Sequence, residues 1–182
     1  MTQFNLLGIS GSLRKASFNR QLIREAGRVM EGATFTEADI DLPLYNGDTE
    51  EADGIPAAVQ VLADQIAASD GVVISTPEYN QSFSGVLKNA LDWVSRTEAA
   101  PWKDKPVAIV SAAAGRAGGA RAQYALRLAM TPFRPRLLMG PEVMVAAAQD
   151  QFESGKLAEG AVYERSLTTL MTLLKAEAAL IA

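Results

Sequence analysis

A polar turn between residues 11 and 19 holds the residues of this chain best suited to chemistry. It reads Gly-Ser-Leu-Arg-Lys-Ala-Ser-Phe-Asn, and it lies between an apolar stretch and a helix-like pattern. Backbone N–H groups, Ser and Asn side chains and a helix dipole all favour a bound anion, so this arrangement is typical of a phosphate site. We therefore predict a phosphate-binding turn with side chains from Ser12, Arg14, Ser17 and Asn19. The alternative is a helix cap by Ser17 or Asn19, which explains one hydroxyl residue but not the whole run.

Two further loops follow apolar runs. Thr-Pro-Glu-Tyr-Asn at 76–80 offers an aromatic ring at Tyr79 and backbone amides around Glu78, which suit a planar heterocycle with polar and apolar edges. Taken alone, it is also an ordinary turn sequence. Residues 111–119 are mainly alanine and glycine with a single arginine, so they either let the backbone approach a ligand closely or form a flexible linker. Read together, the first two loops predict a phosphorylated, ring-bearing cofactor.

Composition removes several kinds of chemistry. The 182 residues contain no cysteine and no histidine, which excludes a thiolate nucleophile, a Ser-His-Asp triad and zinc held by Cys or His. We assign no catalytic side chain and no metal site, and the chemistry is expected to come from a cofactor. A net charge of −4 argues against nucleic-acid binding. No apolar run approaches the roughly 20 residues of a membrane span, and no secretory pattern is present, so we expect a cytoplasmic protein without membrane contact.

Strand-like and helical patterns alternate along the chain, which is typical of a parallel sheet covered on both faces. The predicted strands lie near residues 3–9, 34–40, 72–75, 107–111 and 136–145, the last interrupted by Gly140-Pro141. Five helices lie between and after them, and residues 42–55 are predicted to be a long loop beside a pocket. We predict a single α/β domain over 1–182, a flavodoxin-like three-layer sandwich with a five-stranded parallel sheet of order 2-1-3-4-5. In such sheets ligands bind at the carboxyl ends of the strands, where the loops after strands one, three and four meet.

Three motifs together resemble the NADPH-dependent FMN reductase family, which includes bacterial quinone and chromate reductases. They lie at residues 11–19, 76–80 and 87–93, the last reading Leu-Lys-Asn-Ala-Leu-Asp-Trp, and Gly-Gly-Ala-Arg-Ala-Gln-Tyr at 118–124 also fits. The resemblance implies non-covalently bound FMN, with NADPH or NADH as co-substrate. The implied FMN-binding residues are Ser12, Arg14, Ser17, Phe18 and Asn19 around the phosphate, Pro77, Glu78, Tyr79 and Asn80 along the ribityl chain and ring, and Ser111, Ala112 and Gly115 across the ring.

The resemblance further implies hydride transfer from NAD(P)H to FMN and onward to a quinone, azo, chromate or flavin acceptor. It also implies a homodimer or homotetramer in which Arg121, Tyr124 and Glu142 form a polar network between subunits, although these residues also suit an ordinary surface. Two other functions fit the same loops. One is an electron-transfer flavodoxin-like protein without nicotinamide chemistry, and the other is a non-flavin transferase that uses Glu78 as its nucleophile.

Overall fold

A parallel sheet with helices on both faces forms the body of the molecule. The computed structural model describes residues 3–181. The strands are β1 (Phe4–Ser10), β2 (Ala33–Glu37), β3 (Gly71–Thr76), β4 (Pro106–Ala112), β5 (Arg136–Leu137), β6 (Val143–Val145), β7 (Phe152–Glu153) and β8 (Lys156–Leu157). The helices are α1 (Phe18–Val29), α2 (Gly47–Asp53), α3 (Ala57–Ala68), α4 (Gly85–Val94), α5 (Ala120–Met130) and α6 (Val162–Ala179), with short 3₁₀ turns at Thr131–Phe133 and Ala148–Asp150. None of these helices combines the length and the apolar character that crossing a bilayer requires.

The strand order in the sheet is β2-β1-β3-β4-β5, and all pairings in this sheet are parallel. This confirms the predicted fold class and order. The predicted fifth strand, 136–145 with an interruption at Gly140-Pro141, consists of two separate short strands, so the sheet has a sixth strand beyond the five predicted. These strands, β5 and β6, pair with opposite ends of β4. Because β6 reaches only the last residues of β4, it lies beside the loop that follows that strand.

The core occupies both faces of the sheet. In β1, Leu6 packs with α1 and α6, whereas Leu7 and Ile9 pack with α3 and α4 on the other face. Side chains alternate along a strand, so a strand that is covered on both sides must be apolar at nearly every position. The all-buried patterns of β3 and β4 show this, because every residue of Gly71–Thr76 and Pro106–Ala112 is buried.

The segment 42–55 differs from the predicted loop, because it contains α2. Asn46 caps this helix by accepting a hydrogen bond from the Asp48 N–H at 3.0 Å, and none of its seven residues is buried. The preceding residues are fixed to α4: Asn89 accepts from the Tyr45 N–H at 2.8 Å, and Trp93 donates to the Pro43 carbonyl at 2.7 Å. The segment is therefore an ordered surface element rather than an open loop.

Candidate functional site

A cavity of about 510 Å³ opens where the loops after β1, β3 and β4 meet. Its volume falls in the range of roughly 300–1,000 Å³ that is usual for small-molecule sites. The residues that line it are Ser12, Arg14, Ala16, Ser17, Phe18, Asn19, Pro77, Glu78, Tyr79, Ala112, Ala113 and Ala114. Nine of the twelve predicted cofactor residues are in this set. The structure leaves Asn80, Ser111 and Gly115 outside it.

The first loop presents free donors to the cavity. The Gly11 N–H donates to the Ser75 carbonyl at 2.7 Å, which ties the start of the loop to β3. Ser17 caps α1 by accepting from the Asn19 N–H at 3.2 Å, as the capping alternative expected. Within residues 3–181, however, neither the Arg14 side chain nor the Ser12 hydroxyl has a hydrogen-bond partner. The cap and a set of unused donors therefore coexist in the same loop.

Two other arginines near this loop are already paired. Arg20 and Arg24 on α1 both contact Glu37 at the end of β2, at 2.6 Å and 2.7 Å. Burial raises the pKa of the Glu37 carboxyl, but the hydrogen bonds from Arg24 and Arg20 outweigh it and hold that pKa below its usual value. Of the three arginines, Arg14 is the one left to meet an anion in the cavity.

Asn19 has a role that the sequence did not reveal. Its side-chain amide is buried, and Nδ2 donates to the Ala112 carbonyl at 2.9 Å. Its Oδ1 accepts from the Ala112 N–H at 2.9 Å and from the Ser75 hydroxyl at 2.8 Å. Asn19 therefore joins the start of α1 to the ends of β3 and β4, and only one amide hydrogen remains for a ligand.

The second loop is a tight turn. Tyr79 and Ser82 exchange two backbone hydrogen bonds, at 3.0 Å and 3.1 Å, around Asn80 and Gln81. Both central residues have positive φ, 51° and 66°, as a type I′ turn requires. The turn directs Asn80 into solvent and leaves the Tyr79 ring half exposed at the cavity mouth.

Glu78 caps a helix. Its Oε2 accepts from the backbone N–H groups of Arg121 and Ala122, at 3.1 Å and 3.3 Å, in the first turn of α5. The N-cap of that helix is Gly119, which has no side chain to satisfy those amides, so a carboxylate from another loop does so. The second loop is thereby fixed to the helix that follows the third.

The third loop is built on close backbone contacts. Ser111 is fully buried, and its hydroxyl donates to the Gly118 carbonyl at 2.6 Å and accepts from Gln123 Nε2 at 2.9 Å. This side chain therefore stabilises the loop from within the protein rather than facing the cavity. A Cβ on Gly118, whose φ is +59°, would lie 2.5 Å from the Met144 carbonyl carbon. Only glycine allows the loop to pass so close to β6.

The three alanines at 112–114 line the cavity. The Ala113 N–H donates to the Val145 carbonyl at 3.0 Å, and the Ala113 carbonyl accepts from the Ala148 N–H at 3.1 Å. The loop is therefore fixed by hydrogen bonds to the last residue of β6 and to the segment that follows it. The sequence did not predict these backbone hydrogen bonds, and it did not predict that Ala16 lines the cavity. Alanine and backbone groups give no distinctive signal in a sequence.

The fold and the position of the cavity define a class of protein. A doubly wound parallel sheet with its cavity at the carboxyl edge, rimmed by a helix N-terminus and a free arginine, is typical of α/β proteins that bind phosphorylated cofactors. Residues 4–150 match the model of the NADPH-dependent FMN reductase family. The chain belongs to that family.

Individual relatives agree with this assignment. An NAD(P)H-dependent FMN reductase of Pseudomonas aeruginosa is 48% identical over 151 residues, covering 82% of this chain and 81% of the relative. A quinone reductase of Escherichia coli is 40% identical over 154 residues, covering 83% and 82%. Among solved structures, FerB, a flavoenzyme NAD(P)H:(acceptor) oxidoreductase from Paracoccus denitrificans, superposes with a TM-score of 0.81 at 32% identity, covering 98% of this chain and 96% of that one.

Proposed function

We propose that this chain is an NAD(P)H-dependent, FMN-containing oxidoreductase that passes electrons to small-molecule acceptors. The observation that carries the proposal is that one cavity is lined by Arg14, two serines, Tyr79 and three alanines. Membership of the FMN reductase family supports FMN as the cofactor and a nicotinamide nucleotide as the electron source. One relative is named for quinone reduction, so quinones are the first acceptors to test, with azo compounds, chromate and free flavin as alternatives.

The first loop fits the phosphate end of FMN. A phosphate carries nearly two negative charges at neutral pH and accepts several hydrogen bonds. The loop offers the Arg14 guanidinium, the Ser12 hydroxyl and the Ser17 proton, together with the amides at the start of α1. This donor set matches a dianion better than it matches a neutral ligand.

The other two loops fit the ring end. Pro77 and Tyr79 provide apolar and aromatic surface, and the alanines at 112–114 add small side chains that leave room for a planar ring. When bound, FMN would supply the hydride acceptance and delivery that no side chain of this histidine- and cysteine-free protein provides. The protein contributes binding, orientation and exclusion of water.

The two competing functions are less well supported. A nucleophilic role for Glu78 conflicts with its contacts, because its Oε2 is engaged by two amides of α5. An electron carrier without nicotinamide chemistry conflicts with relatives that are named as NAD(P)H-dependent and quinone reductases. Both functions therefore rank below the reductase.

The test is a visible spectrum of the protein reconstituted with FMN, before and after anaerobic addition of NADPH. We expect flavin absorbance with protein-bound features, bleached by NADPH within one turnover and restored by a quinone. Arg14→Ala should weaken FMN binding about 5- to 150-fold, since a charge-assisted hydrogen bond contributes roughly 1–3 kcal/mol, and should leave riboflavin binding unchanged. Bound flavin that NADPH does not reduce would favour the electron carrier, and no flavin binding would contradict the proposal.

We also infer that the protein is a homodimer or homotetramer. Tyr124 and Leu128 lie one turn apart on α5 and are 56% and 76% exposed, which is high for such apolar side chains. Arg121, at the start of the same helix, and Glu142 are both exposed and are proposed to pair across the interface. Light scattering should give a dimer or larger for the wild type and a smaller species for Leu128→Glu, whereas Val61→Glu, at an exposed valine of α3, should have no effect. A monomeric wild type would refute the inference.

A further inference from the structure

A short hairpin after the third loop packs against the first residue of α1. It consists of β7 and β8, antiparallel strands in which Phe152 lies opposite Leu157. The ring of Phe152 stacks on the ring of Phe18, with centroids 5.5 Å apart and an interplanar angle of 25°. Phe18 lines the cavity, whereas Phe152 does not. Phe152 therefore lies behind a wall of the site, and it falls outside residues 4–150, the part that matches the family model.

The hairpin is fixed to α1 at a second point. The Leu157 N–H donates to Glu25 Oε2 at 3.1 Å, and Glu25 is almost fully buried. Arg28 contacts Glu25 at 2.8 Å and Glu164 of α6 at 2.6 Å. Phe18 and Glu25 are two helical turns apart, so they share one face of α1. The hairpin therefore lies along that face and cannot turn away from Phe18 without breaking this contact.

The same stretch of chain also holds the third loop. The Val145 carbonyl and the Ala148 N–H bond to Ala113, and the Ala147 N–H donates to the Gly115 carbonyl at 3.3 Å. A continuous segment, residues 145–157, thus contacts two loops. Its first residues bond to the third loop, and Phe152, closer to its end, packs against Phe18 of the first loop. We call this segment the brace.

We propose that the brace sets the position of the first loop relative to the third, and that Phe152 is a positioning residue for the cofactor. This inference rests on the proposed function, since it assumes that the first loop holds the FMN phosphate. Phe18 is the first residue of α1, so its backbone position fixes the free amides of the first helical turn. Without the Phe152 ring, Phe18 has space to move and those amides lose their fixed direction.

The test compares FMN with riboflavin, which has the same ring system but no phosphate. Phe152→Ala should weaken FMN binding about three- to tenfold, the range expected from the loss of an aromatic pair, and should change riboflavin binding by less than about twofold. Phe152→Tyr keeps the ring and should restore the affinity for FMN. A residue with a merely structural role would lower the melting temperature without changing the ratio of the two affinities.

Phe133→Ala is the matched control. Phe133 is another half-buried phenylalanine, but it lies just before β5. That strand pairs with the first residues of β4, at the end of the strands opposite the cavity. Its truncation should reduce stability and leave both flavin affinities unchanged. If Phe152→Ala does not fold, Phe152→Leu removes the ring while keeping apolar volume, and the same ratio is measured.

Two results would overturn the inference: unchanged FMN affinity in the folded Phe152 variant, or equal losses for FMN and riboflavin. Arg14→Ala in the same assay separates this failure from failure of the site assignment. If Arg14→Ala lowers the FMN-to-riboflavin ratio and the Phe152 variant does not, only the brace is refuted. If neither substitution lowers the ratio, the phosphate site itself is wrongly placed.

Discussion

Replacing Asn19 with alanine should damage the protein and its cofactor site together. The side chain makes three hydrogen bonds, two to the backbone of Ala112 and one to the Ser75 hydroxyl. All three partner groups belong to buried residues, so truncation leaves an N–H and a carbonyl without partners. The joint between α1 and the two central strands is lost at the same time.

The magnitude follows from those contacts. A buried backbone group without a partner costs about 1–3 kcal/mol, and two are created here. The Ser75 hydroxyl can rotate to another acceptor, and water from the neighbouring cavity can reach part of the space, so we expect a loss of about 2–4 kcal/mol. For a protein of this size that corresponds to a fall in melting temperature of roughly 4–16 °C.

The assay is thermal and urea denaturation of the apoprotein, combined with FMN titration. Asn89→Ala is a suitable control, because Asn89 also bonds two backbone groups, the Tyr45 N–H and the Pro43 carbonyl, but lies on α4 away from the cavity lining. Both variants should lose stability, and only Asn19→Ala should also lose FMN affinity. A melting temperature within 2 °C of wild type for Asn19→Ala, or equal FMN affinity in the two variants, would refute the reasoning about this joint.

Substitutions at three other positions test contacts in and near the site. Gly118→Ala should destabilise the protein by about 2 kcal/mol or more in urea denaturation, because the new Cβ meets the Met144 backbone at a positive φ; wild-type stability would contradict this. Glu78→Ala should cost about 1 kcal/mol through loss of the α5 cap, and Glu78→Gln, which keeps an acceptor oxygen, should cost less; equal losses would rule out capping. Glu37→Gln should cost less than about 1 kcal/mol at pH 7. The pKa of Glu37 is lower in the folded protein than in the unfolded chain. Its contribution to the free energy of unfolding is therefore present above the unfolded pKa and is lost as the pH falls through the folded pKa. The difference in urea midpoint between the wild type and Glu37→Gln should accordingly shrink toward pH 3 rather than grow.

The sheet order could be predicted because periodicity alone distinguishes its parts. Strands such as Gly71–Thr76 are mostly apolar, and the helices between them carry apolar stripes, so a doubly wound sheet is the arrangement that buries both. The α2 helix gave no such signal, since Gly-Asp-Thr-Glu-Glu-Ala-Asp has no apolar face and nothing in it is buried. The split of the last strand followed from Pro141, which has no N–H to donate to a ladder, but the pairing of both pieces with one strand depended on packing.

The site likewise contains features that the sequence identified and features that it did not. Residue types identified the first loop, because hydroxyls, an arginine and a helix start coincide within nine positions. They did not identify the internal role of Asn19, whose partner Ala112 lies 93 residues away and is an unremarkable alanine. The contact of Phe152 with Phe18 and the capping role of Glu78 were hidden for the same reason: their partners, a ring and two backbone amides, are set by tertiary contacts that no local pattern encodes.

The contacts made by Asn19, Glu78 and the brace help to explain how a protein without cysteine or histidine can support redox chemistry. With no imidazole or thiolate to move protons, the protein contributes by holding a cofactor and its partners at fixed positions, and that contribution depends on how little the three loops move. Asn19 joins the first loop to the third, Glu78 joins the second to α5, and the brace joins the third to the first again. The loops thus form a closed set of contacts within the protein itself. A cofactor that enters such a site loses little free energy in ordering it, so we expect the loss of any one of these contacts to reduce FMN affinity. Of Asn19, Glu78 and Phe152, only Asn19 also has a side-chain hydrogen-bond donor.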